Sequence, residues 1–308
     1  MNNSTFFFTV FPSGEEKTFV TISGLRPMII FKKGLPLQNR LKQLKNINKK
    51  IGFVPTMGAL HNGHLALIEQ SKSPDTTTVC SIFVNPTQFN DKKDFEKYPV
   101  TIENDIYLLE KASTDILFIP AVDEIYPDGL ATNFSYDLGY LETMLEGFYR
   151  PGHFQGVCRV MHKLLNIVQP DDLFMGQKDY QQCMVIKRLI ELYKIPTQLH
   201  LVPTRREESG LAMSSRNVRL SDEAKQKASA IFKALGFIKN NISSLSIAQL
   251  KEKATAIILD AGFEKIDYIE ICDADSLMPL NKFQQTKMVA LAAAFIEGVR
   301  LIDNMLLN

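Results

Sequence analysis

The sequence predicts an α/β protein, a doubly wound parallel sheet followed by a smaller C-terminal α+β domain. Three observations carry this. Short apolar segments rich in β-branched residues alternate with helical patterns through the first two-thirds of the chain. Most of these segments stop at a glycine or a proline. After about Thr204 the texture changes to two helical stretches followed by two strand-like runs.

The elements follow in order. MIIF at 28–31 is strand-like, and a charged helical pattern fills 37–45. IGFVPT at 51–56 reads as a short buried strand, and LALIEQSK at 65–72 as a helix. Between them lies a loop carrying His61, Gly63 and His64, so this stretch forms the first half of a β-α-β unit. TTVCSIFV at 77–84 is the next strand, ending at Asn85-Pro86. A helix at 101–112 precedes the strand ILFIP at 116–120. Another, at 157–168, leads to the strands DLFMG at 172–176 and TQLHLVP at 197–203. In the last third, helices at 221–240 and 246–261 precede strands at 267–274 and 287–296. The expected organisation is an extension of unknown role at 1–27, a sheet domain at 28–203 and a second domain at 204–308. Met28 offers a second plausible start, and nothing in 1–27 assigns it a function.

Composition narrows the class. A chain of 308 residues that is 45% hydrophobic has enough apolar surface for real cores. Its 35 basic and 34 acidic residues nearly cancel, which removes a general electrostatic reason to bind nucleic acid or an acidic membrane. No apolar run approaches the ~20 residues of a spanning helix, and Phe6 to Phe11 is too short and lacks the basic lead-in of a signal peptide. Cys80, Cys158, Cys183 and Cys272 are scattered without a C-x-x-C pair, which fits a reducing cytoplasm. Neither a nucleic-acid partner nor a membrane is expected.

Four constellations carry chemistry. MGALHNGH, 57–64, sits between a strand and a helix, where backbone N–H groups and the helix dipole favour a bound phosphate. His61 and His64 could face one anion there, or could be capping histidines; zinc lacks a third ligand at metal-site spacing. LAMSSRN, 211–217, with Thr204, Arg205 and Arg206 before it, gathers hydroxyls, amides and guanidinium groups of the kind that hold phosphate, or forms a polar interdomain linker. MGQKDYQQ, 175–182, follows a strand and offers Lys178 as a point charge, or else a solvent-facing helix start. FVNPTQF, 83–89, puts Gln88 just past a strand end, suited to a carboxylate or hydroxyl of a small polar substrate, or forms only a turn. His153, His162 and His200 read as structural. A G-x-x-x-x-G-K-[ST] phosphate loop and a G-x-S-x-G elbow are both missing.

PTMGALHNGHLALI, FVNPTQF, LEGFYRPGHFQGV, MGQKDYQQ and REESGLAMSSRN, in this order and at these spacings, closely resemble the pantoate–β-alanine ligases within the His-x-Gly-His nucleotidyltransferases. The resemblance runs from about Met28 to the end, with IDYIEICDADSL and the terminal RLIDNMLL resembling the smaller domain. It implies a Rossmann-like domain binding ATP and pantoate, a C-terminal lid, a homodimer, and Mg2+ with ATP. It also implies a two-step ligation: pantoate is adenylated with release of pyrophosphate, and β-alanine then displaces AMP to give pantothenate.

Carried over position by position, the resemblance implies ATP contacts at Met57, Gly58, Ala59, Leu60, His61, Asn62, Gly63 and His64. It extends them to Gly176, Gln177, Lys178 and Asp179, and to Arg205, Met213, Ser214, Ser215 and Arg216. His64, His61 and Lys178 would be catalytic, while Gln88 and Gln182 would hold pantoate. The metal ligands are unknown, with Asp105 as a guess. Three positions depart from the family pattern: Gln177 where Glu is common, Arg205 where Val is common, and Ser209 where Asp is usual.

The rival readings are a related nucleotidyltransferase acting on a phosphate, and a silent binder of ATP or pantoate.

Overall fold

The computed structural model describes residues 7–10, 16–20, 28–90, 92–131 and 133–308. Eleven strands are present among them: β1 (Phe7–Val10), β2 (Glu16–Val20), β3 (Met28–Phe31), β4 (Lys50–Thr56), β5 (Thr76–Ile82), β6 (Ile116–Phe118), β7 (Asp172–Gly176), β8 (Gln198–Val202), β9 (Lys265–Asp273), β10 (Met288–Ile296) and β11 (Val299–Leu306). The first eight form one sheet in the order β1-β2-β3-β6-β5-β4-β7-β8. Neighbours from β3 through β7 pair in parallel, as the alternation of strand and helix requires.

From β4 the chain winds one way to β5 and β6, then returns past β4 to β7 and β8. The loop leaving the carboxyl end of β4 therefore sits at a topological switch point, where open α/β sheets form their ligand crevice. On one face of the sheet Val54, Cys80, Ile82, Leu117 and Phe174 pack with Leu67, Ile68 and Leu109 of the helices, and the alternate positions Phe53, Val79, Ile116 and Leu173 are buried on the other.

Within the 1–27 extension, the described segments extend this sheet. β1 pairs antiparallel with β2, and β2 antiparallel with β3, with Glu16 opposite Phe31. The rest of that expectation lies outside the described residues.

The chain separates into two compact units. The first comprises the chain up to Leu138 with Pro151–Met175 and Val185–Val202; the second comprises Gly139–Arg150, Gly176–Met184 and Pro203–Asn308. The two inserted segments of the second unit are bound there by side chains: Glu146 accepts from Arg300, and Asn304 donates to the carbonyls of Gln177 and Lys178.

In the second unit an antiparallel sheet, β11-β10-β9, packs against helices Ala230–Asn241 and Ile247–Asp260. The period-two set Ala290, Ala292 and Ala294 of β10 enters this core, and such small side chains permit close approach. The sequence marks no strand over 299–306, yet β11 forms there. Glu297 and Gly298 have φ of 50° and 67°, as a two-residue hairpin turn requires, and Ile296 lies opposite Val299. The expected helix at 221–240 is two helices, Asp222–Ala228 and Ala230–Asn241, that meet at Ser229. Among the described residues no helix is long and apolar enough to cross a membrane.

Candidate active site

In the first unit, β4 ends at Thr56 and the helix Asn62–Gln70 begins six residues later, so the helix starts earlier than its apolar pattern indicates. The reason is a reciprocal cap made by the two histidines. His61 Nδ1 accepts from Gly63 N–H at 3.1 Å, and His64 Nδ1 accepts from His61 N–H at 3.3 Å. A neutral imidazole has one donor and one acceptor nitrogen, so backbone amides that occupy both Nδ1 atoms leave Nε2 as the N–H of each ring. The rings stand 4.1 Å apart between centroids. Capping and anion donation are thus compatible, because they use opposite nitrogens.

The loop amides do not behave as the phosphate reading expects. Gly58 N–H donates to Thr56 Oγ1, and the N–H groups of Ala59 and Leu60 donate to the two carboxylate oxygens of Asp105 at 2.9 and 2.8 Å. Thr101 Oγ1 adds a third bond to that carboxylate, which is fully buried. Gly58 and Ala59 both have positive φ, 79° and 48°, and a Cβ at Gly58 would lie 3.0 Å from Asp105 Oδ2. A left-handed alanine carries local strain, which the paired hydrogen bonds offset. Asp105 therefore shapes the loop: its carboxylate accepts the Ala59 and Leu60 N–H groups and the Thr101 hydroxyl.

Replacing Asp105 by Asn puts an amide N–H2 against a backbone N–H in a dry site. The expected loss is about 2 kcal/mol of stability together with weaker ATP binding, read by thermal unfolding and by nucleotide titration. A variant as stable as the parent would refute this role.

Gln88 lies in the turn Pro86–Gln88 and is buried. Its Oε1 accepts from Asn85 Nδ2 at 2.9 Å, and its Nε2 lies 3.1 Å from Met57 Sδ. His153, the first residue of the helix His153–Val168, bonds through Nδ1 to the Gln88 carbonyl at 2.8 Å. Gly156 on the same helix allows the close approach, since a Cβ there would fall 2.2 Å from the Thr87 carbonyl oxygen. His153 is thus structural, and it acts on the turn that carries Gln88. His162 Nδ1 meets Tyr136 Oη, and His200 pairs with Asp172 at 2.6 Å.

In the second unit, Gln177–Asp179 forms a single tight turn after β7. Asn304 clamps it, donating to the carbonyls of Gln177 and Lys178 at 2.8 Å each while its Oδ1 accepts from Gln177 Nε2 at 3.2 Å. The amide at Gln177 suits this contact, where a carboxylate would set oxygen against oxygen. Lys178 Nζ is 3.5 Å from Asp179 Oδ1. Of the adjacent glutamines, Gln181 is buried and bonds the Leu141 and Met144 carbonyls and Glu146 N–H, while Gln182 is half-buried.

Arg205 is exposed and uses its carbonyl to accept from Met213 N–H. Ser214 caps the turn Ser215–Arg219 by accepting from Arg216 N–H, and Asn217 ties that turn to the Ala212 carbonyl. The base of the loop is held by Arg206, which bonds Asp303 bidentately at 2.6 and 3.0 Å and lies over the Phe232 ring. Burial raises the Asp303 carboxyl above its usual range despite that guanidinium.

The structure thus brings Met57, His61, His64 and Gln88 into the first unit, and Gly176–Asp179, Gln182, Arg205 and Met213–Arg216 into the second. Of the supporting residues, Asn85, Asn304 and Asp303 carry no role in the sequence reading, while Asp105 and Arg206 stand there as a guessed metal ligand and a phosphate-holding group. All of these but Asp105 stand within a quoted motif: Asn85 in FVNPTQF, Arg206 in REESGLAMSSRN, and Asp303 and Asn304 in RLIDNMLL.

A family model described as pantoate-beta-alanine ligase matches residues 29–306. A pantothenate synthetase of Cytophaga hutchinsonii is 44% identical over 274 residues, 88% of this chain and 96% of the relative. Another, of Caldicellulosiruptor saccharolyticus, is 41% identical over 283 residues, 91% of this chain and all of the relative. The crystal structure of pantothenate synthetase from Thermus thermophilus superposes with a TM-score of 0.83 at 38% identity, covering 90% of this chain and 98% of that one. A pantoate-beta-alanine ligase from Francisella tularensis, complexed with beta-gamma ATP and β-alanine, gives a TM-score of 0.75 at 39% identity, covering 91% and 97%.

Proposed function

This chain belongs to the pantoate–β-alanine ligase family and joins pantoate to β-alanine at the expense of ATP to give pantothenate; from that premise we propose how its own residues divide the work. In the first step a pantoate carboxylate oxygen attacks the α-phosphorus of ATP, and the bond to the bridging oxygen breaks to release pyrophosphate. In the second the β-alanine amine attacks the acyl carbon of pantoyl-adenylate, AMP leaves, and the amine proton passes to solvent. Adenylation makes the second step feasible because it replaces an oxide with AMP as the leaving group.

Negative charge grows on the phosphate oxygens in the first step, so preorganised donors matter more than a base: the carboxylate is already ionised. His64 and His61 fill that role through Nε2–H, aided by Lys178 as a point charge. Met57, Gly58, Ala59, Leu60, Asn62 and Gly63 line the nucleotide together with Gly176, Gln177, Asp179 and Arg205. Met213, Ser214, Ser215 and Arg216 close on it from the domain 204–308, which acts as a lid over the ATP- and pantoate-binding domain 28–203. Gln88 and Gln182 hold pantoate. The observation that carries this reading is the double lock on Nδ1 of His61 and His64, which assigns both rings the tautomer a phosphate needs.

Magnesium enters with the nucleotide. No group of three or more His, Cys, Asp or Glu side chains able to hold a metal ion occurs among the described residues, which fits an ion carried largely by the phosphates themselves. It supplies neutralisation of the departing pyrophosphate. A cytoplasmic homodimer is part of the same proposal; all four cysteines are buried thiols, which suits a reducing compartment.

The test is to incubate the protein with MgATP and pantoate, with and without β-alanine, and to follow pyrophosphate, AMP, pantoyl-adenylate and pantothenate by mass spectrometry. Pantoyl-adenylate that accumulates alone and converts to pantothenate when β-alanine is added is the expected result. No product under conditions where an active relative turns over would refute the mechanism.

A further inference from the structure

We propose that Tyr126 is a positioning residue for pantoate, acting through Asn85 to fix which end of the Gln88 amide meets the substrate. The inference rests on the reading of Gln88 as a pantoate-binding residue. Asn85 is 1% exposed and its amide is oriented by atoms of fixed polarity. Its Oδ1 accepts from Tyr126 Oη at 2.7 Å, Thr87 Oγ1 at 3.0 Å and the Thr87 backbone N–H at 3.3 Å. A backbone N–H only donates, so this atom is the oxygen. Its Nδ2 donates to the Gly156 carbonyl at 3.2 Å, and a carbonyl only accepts. The same Nδ2 then donates to Gln88 Oε1 at 2.9 Å, which leaves Gln88 Nε2 as the end offered to a ligand.

The partner of that Nε2 is Met57 Sδ, a thioether and a weak acceptor. A carboxylate or hydroxyl oxygen would replace it with a stronger bond, whereas the reversed amide would set oxygen against oxygen. Tyr126 makes the shortest contact in the relay. Burial pushes its hydroxyl pKa above the usual value, so the group keeps the proton it donates. Its ring is held by Arg159, whose guanidinium lies over it at 4.6 Å and bonds the Gly129 and Leu130 carbonyls.

Tyr126→Phe keeps the ring and removes only the donor. The expected result is a rise of about 3- to 10-fold in KM for pantoate, the effect of one lost hydrogen bond, with KM for ATP and the melting temperature essentially unchanged. Unchanged pantoate kinetics overturn the proposal. So does an equal loss on both substrates with a lowered melting temperature, since a packing role predicts that pattern. Thr87→Val, which removes the other hydroxyl on Asn85 Oδ1, must move KM for pantoate in the same direction if the relay exists. Gln88→Ala separates the two levels. If it leaves KM for pantoate unchanged, the assignment of Gln88 fails and takes this inference with it; a large effect there with none in Tyr126→Phe refutes the relay alone.

Discussion

Replacing Arg300 by Met is expected to destabilise the C-terminal unit by about 3–5 kcal/mol at neutral pH, the usual cost of breaking one side of a buried ion pair. Arg300 bonds both carboxylate oxygens of Glu146 at 2.8 and 2.7 Å and Asp267 at 2.7 Å. Glu146 is 6% exposed and takes a further bond from Tyr268. Burial by itself would raise the Glu146 carboxyl, but the bonds and charge of Arg300, with Arg150 in support, hold it below its ordinary value of 4.5. A depressed folded pKa contributes stability that is present above the unfolded value and lost as pH falls through the folded one. The parent should therefore weaken below about pH 4.5.

In the variant the balance reverses. Burial then dominates, the folded pKa rises, and acid relieves the defect as it protonates Glu146. The stability gap between parent and variant should be widest near pH 7 and narrow toward about pH 4. Amide hydrogen exchange of β11 at both values reads it locally, which suits a chain of two units better than a single melting transition. A gap below about 1 kcal/mol, or one that widens in acid, would show that the pair does not carry the network.

Replacing His64 by Ala should slow adenylation by ~10²-fold or more, the common effect of removing a preorganised donor to developing charge. The same change removes half of the reciprocal cap, at a cost of about 1 kcal/mol in stability. The two losses separate experimentally. Single-turnover pyrophosphate release from MgATP and pantoate reports the first, and thermal unfolding the second. A near-normal rate of pyrophosphate release would sink the proposed role, whatever happens to stability.

Strand positions were legible because buried parallel strands are short apolar runs with abrupt stops. MIIF and DLFMG coincide with observed strands, ILFIP contains one, and IGFVPT lies within one that begins a residue earlier, at Lys50. β11 was not, because RLIDNML mixes polar and apolar residues and is placed by its hairpin with β10. The segments at 7–10 and 16–20 lie outside the alternation of strand and helix and join the sheet edge by pairing alone.

By itself, then, the sequence determined the family and the parallel sheet and named the candidate site residues, since each of these is written in local runs and in the spacing of motifs. The tertiary structure alone decided which partners orient them. Asp105 acts across 46 and 45 residues on Ala59 and Leu60, Tyr126 across 41 on Asn85, and Asn304 across 127 on Gln177. A hydrogen bond needs two groups within about 3 Å, and only the folded backbone brings residues so distant in sequence to that separation. The polarity of the Gln88 amide follows from such distant contacts on Asn85, and the lowered pKa of Glu146 from Arg300, 154 residues away, whereas the histidine tautomers follow from bonds only two and three residues apart.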